Sequence, residues 1–145
     1  MSKEIIEDLP NHTSFVFEDI CRRTILALSG MKIGGIKFPL INKVGAWWDR
    51  KGNEINIVGV KGKKAMIVGE VKWRRKKVSS NEVQLFLERI RRLKVRDTMT
   101  IYVSWSGFTR GAQEIIEESN IIPITEKELC GIWNLLESIS SKQLK

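Results

Sequence analysis

The chain of 145 residues has only two cysteines, one histidine and one tyrosine. His12 is the lone histidine, and Cys21 and Cys130 stand in no CxxC or Cys/His spacing, which excludes an ordinary zinc site. Both cysteines fall among apolar residues in helical patterns and read as small buried hydrophobes. No apolar run approaches the roughly 18 residues that span a bilayer. The start, Met1-Ser2-Lys3-Glu4, lacks the apolar stretch of a secretory signal, so a soluble cytoplasmic protein with no membrane contact is expected. Prolines number three, and no repeat or Pro/Gly/Ser-rich linker divides the chain, so residues 1–145 are expected to form one domain. Acids are scarce over one stretch in particular. Residues 61–96 hold three (Glu70, Glu82, Glu88) against thirteen Lys or Arg, a local charge of +10, where the rest of the chain sums to −2. A solvated surface ordinarily mixes both signs. A block this one-sided asks for a polyanion, and nucleic acid is the commonest one.

What is present suits a folded core: 42% of residues are apolar and 29% charged. After a loosely packed start over residues 1–12 and the turn cluster Pro10-Asn11-His12-Thr13, Thr13 or Ser14 is placed to cap a helix over Phe15 to Leu28. Its apolar stripe is Phe17, Ile20, Cys21, Thr24, Ile25 and Leu28, with Glu18 on the flank. Ser29-Gly30 stops it, Gly34-Gly35 keeps the chain loose, and Pro39 makes residues 38–43 a connector. Three strands follow as an antiparallel meander: Val44 to Asp49, Glu54 to Val60 and Ala65 to Trp73. Ser79 and Glu82 fit a capping box, opening a helix with the stripe Val83, Phe86, Leu87, Ile90 and Leu93. Then come a strand from Thr98 to Ser104, a helix capped by Thr109 with Ile115 and Ile116 as anchors, a short strand at Ile121 to Ile124, and a helix from Glu126 to Ile139 capped by Thr125. A polar tail, Ser140 to Lys145, closes the chain. The alternation at the C-terminal end predicts a partly parallel sheet covered by helices.

The chemistry concentrates between Asn53 and Trp73. Glu70 and Lys72, two apart on a strand, point to one face, and Asn56 and Glu54 share a parity on the preceding strand. Metal-assisted phosphodiester hydrolysis needs carboxylates to hold Mg²⁺, an activated water and positive charge for the transition state. Glu70, the Val71 carbonyl and either Glu54 or Asn56 could supply ligands, Lys72 could orient the water, and Glu18 could assist. Taken alone, Glu-x-Lys on a strand is ordinarily a surface ion pair, and Trp47, Trp48 and Trp73 are ordinarily core residues.

Glu18 in an N-terminal helix, then W-W-D-R-K-G-N-E-I-N-I-V, then G-E-V-K-W, resembles the PD-(D/E)XK nuclease superfamily, and more narrowly the nuclease-like C-terminal domain of certain archaeal ATPases. The likeness covers roughly residues 15–130, including S-G-F-T-R-G-A. It implies an α/β restriction-endonuclease-like core, a central mixed sheet of four to five strands flanked by helices, and Mg²⁺- or Mn²⁺-dependent cleavage of DNA. It makes Glu70 a metal ligand, Lys72 the catalytic lysine, Glu18 an accessory acid, and Gln84 a further site residue from the following helix. DNA would lie along Lys61, Lys63, Lys64, Arg74, Arg75, Lys76, Lys77, Arg89 and Arg92. A homodimer through Phe108, Ile132 and Trp133, and an ATPase partner, are further expectations. One position departs: Asn56 stands where the resemblance implies aspartate. Three accounts follow: cleavage lost with binding kept, as in a DNA-binding or adaptor module; Glu54 or Glu18 supplying the missing charge; or an engineered inactive variant.

Overall fold

The computed structural model describes residues 10–143. The chain runs α1 (Pro10–Ala27), β1 (Lys32–Ile33), β2 (Ile36–Lys37), β3 (Lys43–Trp48), β4 (Glu54–Lys61), β5 (Lys64–Lys72), α2 (Ser80–Leu93), β6 (Met99–Ser104), α3 (Arg110–Glu118), β7 (Ile122–Ile124) and α4 (Glu126–Gln143). Five strands form one sheet in the order β3-β4-β5-β6-β7. β3, β4 and β5 pair antiparallel, and β5, β6 and β7 pair parallel. The result is the expected α/β class, compatible with a restriction-endonuclease-like core.

Helices cover both faces. α1 and α4 bury Phe17, Cys21, Ile25, Leu129 and Ile132, with Leu28 just past α1, against Ile57, Ile67 and Val71. α2 and α3 bury Val83, Phe86, Ala112 and Ile116 against Ile55, Val68 and Tyr102. Local chemistry sets the helix starts. Ser79 accepts from the Glu82 N–H while the Glu82 side chain returns to the Ser79 N–H, and Thr109 accepts from Ala112 N–H. The isolated bridge between Val78 and Phe108 brings the start of α2 beside the start of α3.

Several expectations need correction. α1 begins at Pro10, so neither Thr13 nor Ser14 is its cap; proline suits a first helical turn, where its missing N–H is no loss. Ile20 is 40% exposed and is not part of the buried stripe. Residues 32–37 form the small hairpin β1–β2 rather than loose chain. α4 continues to Gln143, past the expected end. The loose start expected before Pro10 and the last two residues of the tail lie outside the described residues. Among the described residues, no helix is long and apolar enough to cross a membrane.

Gly69 shows how closely β5 and β6 approach. A Cβ there would meet Ile101 Cγ1 at 2.5 Å and the Ile101 carbonyl oxygen at 3.2 Å. Gly69→Ala should therefore lower stability by about 1–3 kcal/mol, read as a fall in the urea midpoint. An unchanged midpoint would mean that the strands are not this tightly packed.

Candidate functional site

The site is a fork in the sheet. The paired register of β4 and β5 runs from Lys61 opposite Lys64 to Ile57 opposite Gly69. Beyond that point β4 is paired with β3, and β5 with β6. A bulge marks the fork: β3 and β4 pair as Gly45 opposite Val58 and then as Trp47 opposite Ile55. Asn56 and Ile57 thus face the single residue Ala46, which breaks the two-residue alternation. Ile55 packs under α2 and α3, whereas Ile57 packs under α1 and α4.

A cavity of about 440 Å³ opens at the fork, lined by Glu18, Glu54, Asn56, Glu70, Lys72 and Arg89 together with Ser14, Gly52, Val71, Trp73 and Arg74. The helix, the two strands expected to carry the site and the helix after them all contribute. Asn56 ties them together. Its Oδ1 accepts from the Val71 N–H at 2.9 Å, and its Nδ2 donates to Glu18 Oε1 at 2.7 Å. The Val71 N–H can only donate, so the atom facing it must be the amide oxygen. The Asn56 carbonyl accepts from Arg22 Nη1 at 2.9 Å. Glu70 is 3% exposed and pairs through Oε2 with Arg89 Nη1 at 3.1 Å.

Burial pushes the Glu70 carboxyl up to about 7, against the opposing pull of Lys72 and Arg89. The ion pair and the raised pKa point in opposite directions; burial wins because the side chain has almost no water around it. Glu18 is raised as well, by burial first and by the charge of Glu54 second.

Part of the oxygen set that could hold a divalent cation is engaged within the protein. The Asn56 oxygen is committed to a backbone donor, one Glu18 oxygen to the Asn56 amide, and one Glu70 oxygen to Arg89. Hard divalent ions want several convergent oxygens. Among the described residues, no three His, Cys, Asp or Glu side chains come together as a metal-holding group.

Of the residues singled out in the sequence, Glu18, Glu54, Asn56, Glu70, Val71 and Lys72 meet in this one cavity. Gln84 does not. It is exposed on α2, five residues before Arg89 and so about 140° around the helix from it. Lys61, Lys63 and Lys64 form the β4–β5 turn, at the other end of β5 from Lys72. Eight residues of strand separate them, about 26 Å, so that turn does not flank the cleft. Arg74 faces inward: it bonds both Glu82 oxygens at 2.6 Å and the carbonyls of Lys76 and Lys77, and so shapes the loop. Arg75, Lys76 and Lys77 are exposed, and Arg92 lies close enough to Asp49, in the turn next to Gly52, to act on its charge. Phe108 and Ile132 are buried, and Trp133 is half-buried and packs against the core. Trp48 is 64% exposed, while Trp73 is half-buried and packs against the core.

Sequence reasoning missed Arg22 and the inward role of Arg89. Arg22 had a usable signal, since Glu18 and Arg22 stand at i,i+4 on one helix face. Arg89 sits three residues beyond Phe86, at the flank of the α2 stripe, where a long cation can reach under the helix.

Residues 1–85 match a family model described as Archaea bacterial proteins of unknown function. The match takes in α1, β1 to β5 and the start of α2, and every cavity residue except Arg89. No curated protein matches the chain, and no solved structure does.

Two outcomes follow from the geometry. Glu70 is held protonated in the fold to a higher pH than in the unfolded chain, so ionising it costs stability as pH rises from about 4.5 to about 7. Glu70→Gln should gain thermal stability relative to the parent on going from pH 5 to pH 8, by on the order of 3 kcal/mol; a gap that is constant with pH would contradict the assignment. Asn56→Asp would set a carboxylate oxygen against Glu18 in place of the amide donor. In EDTA it should lose about 1–3 kcal/mol, with part of that loss recovered by Mg²⁺, while the parent melts at the same temperature with or without the ion.

Proposed function

Given that the chain belongs to the DUF234 family, we propose that it is a cytoplasmic DNA-binding domain with a nuclease-like fold whose cleavage centre is locked by hydrogen bonds. The observation that carries this reading is the Asn56 bridge. A carboxylate at position 56 would need a proton or a cation between itself and Glu18; the amide needs neither, because it brings its own donor at 2.7 Å. Arg89 plays the equivalent part at Glu70. The charge that a divalent ion would bring is supplied by the chain.

The DNA side rests on the cations around the cleft. Lys72 and Arg89 line it, and Lys76 and Lys77 stand exposed on a loop braced by Arg74. Such groups meet phosphates and position the duplex without reading its sequence. A second reading keeps catalysis: a weak Mg²⁺- or Mn²⁺-dependent endonuclease, favoured by Glu18, Glu54, Glu70 and Lys72 lining one cavity.

The test uses supercoiled plasmid in Mg²⁺ or Mn²⁺ with the parent, Asn56→Asp and Glu70→Ala. The expected result is binding without cleavage by the parent and cleavage gained by Asn56→Asp. Cleavage by the parent that vanishes in Glu70→Ala would establish the second reading instead. Binding should weaken linearly in a log–log salt titration, with a slope near −0.9 per phosphate contact, and Lys76→Glu with Lys77→Glu should flatten that slope. Affinity indifferent to salt would refute a phosphate-held complex.

A further inference from the structure

We propose that the cleft continues into a single-strand site, in which an unpaired DNA base stacks on Trp105 and Lys77 holds a neighbouring phosphate. The proposal rests on the DNA-binding reading and names the form of DNA that the rim accepts.

β5 and β6 run parallel with Lys72 opposite Ser104. The next residue on each strand is a tryptophan, so Trp73 and Trp105 stand side by side, with ring centroids 4.6 Å apart. Trp73 lines the cleft that holds Glu70 and Lys72. Trp105 lines a second cavity of about 370 Å³, together with Lys77, Ser106, Gly107, Thr125 and Lys127. The pair therefore joins the two cavities. Ser106 fixes the junction by donating its hydroxyl to the Arg74 carbonyl.

The shelf is rigid. Phe17 stacks on Trp73 at 4.4 Å, Trp133 lies behind Trp105 at 6.4 Å, and the Trp133 N–H donates to Thr24 Oγ1 at 3.0 Å. Trp133 thus has its partner, whereas the Trp73 N–H is buried with none among the described protein groups. Trp105 packs against Phe17, Trp73 and Trp133 and, half-buried, presents its remaining surface to the second cavity.

Charge agrees with a backbone passing here. Lys77 and Lys127 line the second cavity against one acid, Glu126. The chain entering α3 at Phe108 and α4 at Thr125 lines the same cavity, and the first turn of α4 carries Glu126 and Glu128. A duplex keeps its base faces stacked, whereas a single strand offers them to aromatic rings in any sequence. A shelf of tryptophan beside a lysine loop therefore favours unpaired DNA over duplex.

The test measures anisotropy of fluorescein-labelled oligo-dT and of a blunt duplex with the parent, Trp105→Leu, Trp105→Phe and Lys77→Glu, each checked for parent-like circular dichroism and melting. Trp105→Leu should weaken single-strand binding on the order of tenfold and change duplex binding by less than about twofold. Trp105→Phe should retain most of the affinity, because it keeps a ring. Equal losses on both DNAs, or no loss on the single strand, would overturn the proposal. Should Trp105→Leu fail to fold, Lys77→Glu decides: a loss severalfold larger on the single strand than on the duplex supports the site, and an equal loss on both overturns it. A parent that binds duplex but not oligo-dT refutes this inference alone, and one that binds neither refutes the DNA-binding reading as well.

Discussion

Asn56 satisfies two groups that no other side chain of its size could satisfy together. It accepts from the Val71 N–H, which the end of the β4–β5 ladder leaves without a strand partner, and it donates to Glu18 on α1. An ionised aspartate could do the first but not the second, and an apolar residue neither. A buried donor left unpaired costs about 1–3 kcal/mol, so this one amide decides whether the fork is a stable part of the fold. The bulge at Asn56 and Ile57 is what aims it there, turning both residues toward α1. Arg22 secures the same point from the helix by bonding the Asn56 carbonyl.

The remaining features of the cleft depend on that closure. With the fork tied, Glu70 stays almost free of water, its carboxyl rises toward neutrality, and Arg89 becomes its partner. With β5 held against β6 over six residue pairs, Lys72 and Ser104 end level, and the tryptophans after them form one shelf. The basic character then divides. Lys72 and Arg89 line the cleft and Lys76 and Lys77 stand exposed on the loop that follows β5, while the Lys61–Lys64 turn is carried to the far end of the sheet. A charge block continuous in sequence is thus split by the length of one strand.

Much of the fold could be read from residue patterns, because those patterns report local constraints. β-forming residues between turn signals located β3 to β5, the Ser79 and Glu82 pair located the start of α2, and Thr109 the start of α3. Where tertiary geometry overrode the local signal, the reading failed. The β1–β2 hairpin has strands of two residues, too short for any period to show. Ile20 fits the helical stripe of α1 yet falls where no other layer covers it. The meeting of Glu18, Asn56, Glu70 and Lys72 was legible from spacing and from the resemblance to nucleases. What those side chains do to one another was not, since hydrogen bonds 38 and 15 residues apart in the chain have no sequence signature. Gln84 illustrates the same limit: its place on α2 was correct, and the rotation of the helix turned it outward.

Closure of the fork by an amide rather than by a cation rests on the Asn56 bonds to Glu18 and to the Val71 N–H. Its most direct test is nuclear magnetic resonance of the ¹⁵N-labelled protein during titration with Mn²⁺, watching the side-chain amide protons of Asn56. The account expects that pair to be slow to exchange with water and to stay sharp at stoichiometric Mn²⁺, alongside an unbroadened Val71 N–H. Selective loss of those signals at substoichiometric Mn²⁺ would place the ion within the Asn56 and Glu70 pair and contradict the account.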